Sequence, residues 1–572
     1  MNTQFEQFEK LLRESMQSHP AFASLEQDKM VEMSKDFLKS FETIYSPEAF
    51  PVADWTKTWL EYQNDMARVW LNAAFGQGNN ADPSSDPRFK AESWNEGIFP
   101  LLRQSYELTA KAMIEIADGV GLPEQEQHKL SFYARVAADG LAPSNYMMTN
   151  PEVLRLAKET GGQSLVDGFQ NLLADLEKGY ISTTDENAFE VGKNLATTPG
   201  AVVFRNELIE VIQYEPATAK VRSNPILIVP PCVNKFYIFD LNEKKSMIKH
   251  LVEEGQTVFT IAWRNPGREL GDCAWDDYIE KGIFEALRVS SEISKSDDVD
   301  LLGWCNGGTM LTAALAVIPP KLKAKAGTAT FLSSMIDFSD PGQIKVFIDE
   351  PQNAAYNVRL QTENLAPGRD VANAMAMLHV NESIWNFVVS NYLMGKAPAP
   401  FDVLYWNSDT SNLPAKWYSY FVEEMYMADK LKEPGGLTLL GFPVDTRNID
   451  VPCYFVAADG DHIVPWKSSF TATSLIGGPT DFVLTTGGHV SGTVINHPVR
   501  NRKRFWTGGE PSGDAENWFE TATQSDGSWW PHWLNWLSEN NPGKERAKPR
   551  ALGNKDYQPM EAAPGTYVLE EV

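Results

Sequence analysis

A short stretch near the middle of the chain, "DLLGWCNGGTML" at residues 300 to 311, constrains the fold more than any other. Two apolar residues, Leu301 and Leu302, run into Gly303, and Cys305 then stands between glycines at the head of an apolar, helix-like segment from Thr309 to Val317. Glycines so placed let a strand turn abruptly into a helix, because nothing obstructs the tight backbone approach. The side chain at the apex is pushed out above the sheet. Taken alone, GxCxGG also fits an inert buried cysteine, so the rest of the chain has to decide.

Past "LATTPG" (Leu195 to Gly200), short β-branched runs alternate with helical stretches. The predicted strands are "AVVFR", "LIEVIQY", "PILIVP", "TVFTIAW", "DLLGW", "TATFLSS", "VPCYFVAA" and "DFVLTT", with helices such as Lys244 to Glu254 and Asp277 to Ser291 between them. Such alternation predicts a mostly parallel sheet with helices on both faces, opened by an antiparallel pair. With the glycine-flanked nucleophile turn, this is the pattern of the α/β-hydrolase fold. Residues 1–195 read instead as an all-helical N-terminal domain, leaving 196–572 as the catalytic domain. In the first part Trp55, Trp59, Tyr62, Met66, Val69 and Ala73 recur at steps of three or four, a stripe expected to face the core. An aromatic-rich, mostly helical insertion at about 338–445 is expected to form a cap or lid over the site.

Composition narrows the function. A formal charge of −26 disfavours non-specific nucleic-acid binding, which needs Lys and Arg against phosphates. The densest basic cluster, Arg500 to Arg504, reads first as a solvated loop. The four cysteines, Cys232, Cys273, Cys305 and Cys453, have neither disulfide-framework nor metal-ligand spacing, so neither a metal nor an organic cofactor is expected. No apolar run approaches the ~20 residues of a transmembrane helix and the first residues lack an export signal, so a cytoplasmic protein is expected.

A nucleophile in this fold needs an acid after a late strand and a histidine after the last one. "DGDHIVPW" follows "VPCYFVAA" and "GGHVSG" follows "DFVLTT", so Asp461 and His489 fall at those strand ends. Asp459 and Asp337 compete for the acid role, and His462 and His497 are the weaker histidines. Three residue types in the right order at the right strand ends favour a reactive Cys305 over an inert one. Two backbone N–H groups should stabilise the oxyanion: that of Asn306, just after the nucleophile, and that of Val233, in the loop after an early strand. Pro230 and Pro231 have no N–H to offer.

The segments "VPPCVNKFYIFDL", "GWCNGGT", "FDVLYWNSDTSNLP", "DHIVPW", "GGHVSGTVINHP", "SWWPHWLNWL" and "TNPEVL" together resemble those of class I polyhydroxyalkanoate synthases over most of the chain. The resemblance implies an acyltransferase that polymerises (R)-3-hydroxyacyl-CoA, with the short-chain 3-hydroxybutyryl-CoA foremost, into polyester with release of CoA. It implies Cys305, Asp461 and His489 as the triad. It also implies a homodimer with Trp406 at the contact, association with polyester granules, and granule-associated helper proteins. A thiol nucleophile then has a rationale: passing an acyl group from CoA to Cys305 exchanges one thioester for another and keeps the group activated, which a serine ester would not. A cysteine-dependent hydrolase, acting as a thioesterase or polyester depolymerase, is the alternative enzyme. A granule-coat protein without activity is a third reading, against which the triad argues.

Overall fold

The computed structural model describes residues 52–74, 84–319, 322–500, 502–509, 514–543 and 551–571. They form two compact units. Of the described residues, those up to Thr183 with Glu350–Ala355 and Ala376–Pro398 make the first, and those in Thr184–Asp349, in Tyr356–Met375 and from Ala399 on make the second. The 338–445 insertion is therefore divided between them.

The first unit is helical over its described residues: α1 (Val52–Ala74), α2 (Phe99–Asp118), α3 (Glu124–Gly140), α4 (Pro151–Glu159) and α5 (Gln163–Lys178). The start of α4 is written in "TNPEVL". Asn150 caps the helix, its side chain accepting from the N–H groups of Glu152 (3.0 Å) and Val153 (3.3 Å), while Pro151 takes the first helical position, where no N–H is needed. The apolar stripe of α1 departs from the expectation of core. Trp55 and Trp59 are about half exposed and stack on each other with ring centroids 6.4 Å apart. The side-chain hydrogen bond to α2 begins one turn later, at the Tyr62 hydroxyl and Thr109.

The second unit is built on one sheet. Among the described residues its strands are β1 (Gly200–Arg205), β2 (Ile209–Tyr214), β3 (Pro225–Val229), β4 (Thr257–Trp263), β5 (Asp298–Trp304), β6 (Lys325–Leu332), β7 (Cys453–Ala458), β8 (Thr480–Thr485), β9 (Arg504–Thr507) and β10 (Thr523–Asp526). Their spatial order is β1-β2-β4-β3-β5-β6-β7-β8-β9-β10. The stretch from β4 to β8 is parallel throughout, and β1–β2 and β9–β10 flank it as antiparallel edges. Every residue of β3 is buried, as a strand covered on both faces requires. Helices α6 (Met247–Glu253), α7 (Glu285–Ser294) and α8 (Asn306–Ala316) supply such cover, and α9 (Trp530–Asn540) adds Trp530, Trp533, Trp536 and Leu537, all buried. Two indoles of α9 also bond to strand residues: Trp533 Nε1 donates to Thr330 Oγ1 (2.9 Å) and Trp536 Nε1 to Asp481 Oδ2 (2.7 Å).

The strands read from sequence are present as β1 to β8, with the antiparallel opening. The antiparallel pair β9–β10 was not anticipated, and Arg504, read as part of a loop, opens β9. The C-terminal segment adds a further edge to β1: Val202 N–H donates to the Glu561 carbonyl (2.9 Å) and Ala563 N–H to that of Gly200 (2.9 Å).

Candidate active site

Cys305 closes β5 and caps α8 with φ 54° and ψ −131°, a conformation that disfavours any side chain and costs of order 1–3 kcal/mol. The glycines around it explain why the turn can form. A Cβ on Gly303 would stand 2.5 Å from Gly308 Cα, and one on Gly307 would meet the carbonyl oxygens of Val229 and Pro230 at 2.5 Å each. Small residues therefore let β5, α8 and the loop after β3 converge beneath the thiol.

Asp461 follows β7 and His489 follows β8, as the strand ends require. His489 Nδ1 and Asp461 Oδ2 are 2.7 Å apart, and both residues are more than nine-tenths buried. The other carboxyl oxygen, Oδ1, accepts from the N–H groups of Ile463 and Val464, each at 2.9 Å. The Ser333 hydroxyl faces the same carboxyl without closing a well-formed hydrogen bond. Burial alone would push the Asp461 carboxyl up, but His489 and these donors hold it below the usual carboxylate range. Burial alone would lower the His489 imidazole, yet the Asp461 carboxylate and the neighbouring Cys305 side chain outweigh it and push the imidazole up to about 10. Nδ1 is engaged by Asp461, which leaves Nε2 for the thiol.

Three of the competing residues are occupied elsewhere. Asp337 accepts from Ser339 N–H (2.8 Å) and pairs with Lys432 (3.1 Å), Asp459 accepts from Gly487 N–H (2.8 Å), and the His497 ring packs 5.2 Å from that of His250. Cys232 is fully enclosed, and burial first of all pushes its thiol well above the ordinary value.

The backbone donors can be followed directly. Asn306 N–H opens α8, and among the described residues neither it nor Val233 N–H is spent on a hydrogen bond. Cys232 N–H is taken by Asn306 Oδ1 at 3.1 Å, which fastens the loop after β3 to the start of α8.

Two neighbours of the site, Tyr426 and Lys235, were not singled out in the sequence, and a third, Trp406, stands elsewhere than expected. Tyr426, in the helical turn Phe421–Met427, lies near enough to Cys305 that the thiol adds to burial in raising its phenol. Trp406, expected at a contact between copies, is instead 4% exposed. Its indole packs 5.9 Å from Trp304, which lies 5.1 Å from the His489 ring, and its N–H donates to the Lys235 carbonyl at 2.7 Å. Lys235 itself is buried, with its ammonium on Asp409 (2.8 Å) and on the carbonyls of Val568 (2.8 Å) and Glu570 (2.7 Å). Among the described residues no group of His, Cys, Asp and Glu could hold a metal ion, and no helix is long and apolar enough to cross a membrane.

Comparison with known proteins bears on the family. Residues 85–251 match the family described as poly-beta-hydroxybutyrate polymerase (PhaC) N-terminus, and residues 225–492 match the alpha/beta hydrolase fold. Epoxide hydrolase A from Mycobacterium thermoresistibile, a solved structure, is 15% identical with a TM-score of 0.28 over 51% of this chain and 93% of that one. The poly(3-hydroxyalkanoate) polymerase subunit of Cupriavidus necator is 41% identical, covering 89% of this chain and 87% of the relative. The poly(3-hydroxyalkanoate) polymerase of Methylorubrum extorquens is 40% identical, covering 85% of this chain and 81% of the relative. Likeness of this extent, running through both the helical and the hydrolase-like parts, places the chain among the poly(3-hydroxyalkanoate) polymerases, a family of acyltransferases.

Proposed function

We propose that this enzyme polymerises (R)-3-hydroxyacyl-CoA, with the short-chain 3-hydroxybutyryl-CoA foremost, through an acyl thioester on Cys305. The observation that carries the reading is a thiol on a strained turn beside a buried imidazole whose far nitrogen is held by a carboxylate. His489 takes the thiol proton, and Cys305 Sγ attacks the thioester carbonyl while the N–H groups of Asn306 and Val233 receive the oxyanion. The tetrahedral intermediate collapses with loss of CoA, to which His489 returns the proton. In elongation the imidazole accepts the proton of an incoming 3-hydroxyl, whose oxygen attacks a Cys305-bound acyl group to form an ester bond and free the thiol. Asp461 keeps the imidazole oriented and its charge compensated.

Thioester-to-thioester exchange keeps the acyl group activated, so each ester formed runs downhill. Water competes with the hydroxyl, and the partly buried setting of Cys305, with Tyr426 beside it, disfavours its entry. The enzyme works as a homodimer on cytoplasmic polyester granules, with granule-associated proteins as partners.

The test supplies purified protein with (R)-3-hydroxybutyryl-CoA, follows free thiol and sizes the product, with Cys305→Ala alongside. High-mass polyester and CoA release, both lost in the variant, are expected. Release of CoA with only the free hydroxy acid would make the protein a thioesterase and sink the proposal.

A further inference from the structure

At the edge of the sheet that bears Cys305, two residues with side chains adopt positive φ, and they stand side by side. Trp304 of β5 pairs with Leu332 of β6, and Leu332 with Val456 of β7, so the residues that follow these three fall in one row. Cys305, with φ 54°, is the next residue after β5, and Ser333, with φ 39°, the next after β6. Cys305 N–H donates to the Leu332 carbonyl at 2.9 Å, and Ser333 N–H donates to that of Val456 at 2.7 Å. Ser333 is thereby pinned between the strand that ends in the thiol and the strand that leads to Asp461.

The Ser333 side chain is fully buried, and its hydroxyl faces the Asp461 carboxyl without a well-formed hydrogen bond to it or to any other described residue. Its neighbour differs: the Ser334 hydroxyl donates to the Leu332 carbonyl at 3.0 Å. A serine at position 333 carries two costs that glycine would avoid. Its positive φ disfavours any Cβ, and a buried hydroxyl without a partner has given up its bonds to water. Alanine would fill nearly the same space without the second cost. What serine adds to either is a donor aimed at a carboxylate.

We propose that Ser333 is a positioning residue, whose hydroxyl donates to the Asp461 carboxylate during the reaction and so steadies the group that orients His489. This rests on the reading above of Cys305, His489 and Asp461 as a triad acting on a CoA thioester. Oδ2 of Asp461 faces His489 and Oδ1 takes the Ile463 and Val464 N–H groups, so a hydroxyl from the end of β6 restrains the carboxyl from a third element. Once CoA has left with the proton, the imidazole is neutral, and the carboxylate must stay ionised in a buried place without a cation beside it. A further donor favours the charged form at that stage. A serine hydroxyl turns about a single bond, so the hydrogen bond can close with little movement of the backbone.

The full-length protein is compared with Ser333→Gly and Ser333→Thr, each also on an Asp461→Asn background, by melting temperature and by kcat and KM for CoA release from (R)-3-hydroxybutyryl-CoA. Ser333→Gly relieves the backbone and removes the donor, so the melting temperature should hold or rise while kcat falls about ten-fold at nearly unchanged KM. Ser333→Thr keeps the hydroxyl on a branched Cβ, so it should melt lower yet retain more kcat than Ser333→Gly. On the Asp461→Asn background Ser333→Gly should cost nothing further, because the two residues act through one carboxylate. An unchanged kcat in Ser333→Gly, a kcat that follows the melting temperature across the variants, or the same proportional loss on the Asp461→Asn background would each overturn the assignment. Cys305→Ala separates this from failure of the triad reading. CoA release that survives Cys305→Ala sinks the triad and the assignment together, whereas release abolished by it, with Ser333→Gly at the wild-type kcat, sinks the assignment alone.

Discussion

The Nδ1 atom of His489 stands 2.7 Å from Oδ2 of Asp461, and the carboxylate's remaining oxygen is held by the Ile463 and Val464 N–H groups. A carboxylate fixed on both oxygens imposes one tautomer and one orientation on the imidazole. Asp461→Asn keeps the shape but removes the charge, and it turns an amide N–H toward either the imidazole or the two backbone donors. Thiol release from 3-hydroxybutyryl-CoA is expected to fall about 10²–10⁴-fold with the melting temperature nearly unchanged. A variant within about three-fold of wild type would show that Asp461 does not orient the base.

Tyr426 comes to Cys305 from outside the sheet, and its bulk stands beside a thiol that is only partly buried. Its ring packs 4.9 Å from Phe338 and 5.2 Å from Phe421. Tyr426→Ala opens space beside Cys305, so under the proposed mechanism water should capture more of the acyl-enzyme. The ratio of free 3-hydroxy acid to CoA released is expected to rise and the polymer to shorten. If the partition between acid and polymer does not move, Tyr426 is not part of the barrier to water.

What sequence could reveal differs between these residues for physical reasons. β3 to β8 were legible because buried parallel strands are continuous apolar runs, β1 and β2 because their antiparallel pair is also rich in β-branched residues, and Asp461 and His489 because chain order ties them to the ends of such runs. The four-residue β9 begins in a cluster of cations, and β10, "TQSD", is polar and mostly exposed, so neither carries an apolar signature. Tyr426 and Lys235 act through contacts with residues about 120 or more positions away, and no local pattern marks such pairs. Trp406 illustrates the same limit. One indole in an aromatic-rich stretch gives no sign of whether it faces a partner or, as here, the interior.

A second histidine cluster makes stability depend on acid. The His250 ring is buried, packs 5.2 Å from both His497 and Trp530, and leaves Nε2 without a partner. Burial lowers its pKa from 6.5 to about 4, and His497 adds to the effect. A histidine whose folded pKa lies below its unfolded one contributes stability that is present above pH 6.5 and lost as the pH falls toward 4. His250→Phe keeps an aromatic ring but cannot titrate. Its melting temperature should therefore fall less than that of the wild type between pH 6.5 and 4, the difference corresponding to about 2 kcal/mol. Parallel melting curves for the two proteins over that range would refute this.

Lys235 joins three parts of the second unit at the loop that carries Val233. Its ammonium bonds to Asp409 and to the carbonyls of Val568 and Glu570, while its own carbonyl accepts from Trp406. Ser411 N–H donates to the Val233 carbonyl at 3.3 Å, so the loop is held from both sides. Lys235→Met fills a similar volume but leaves Asp409, hydrogen-bonded to Tyr237 at 2.9 Å, without its counter-charge. Loss of one partner of a buried pair costs about 3 kcal/mol. Where the folded fraction remains high, kcat for thiol release should fall more than KM rises, because the proposed oxyanion donor moves while the substrate surface does not. Asp409→Asn on the Lys235→Met background should recover part of the stability, since it removes the unpaired charge, but not the lost kcat. A Lys235→Met enzyme with reduced stability and unchanged kcat would confine Lys235 to folding.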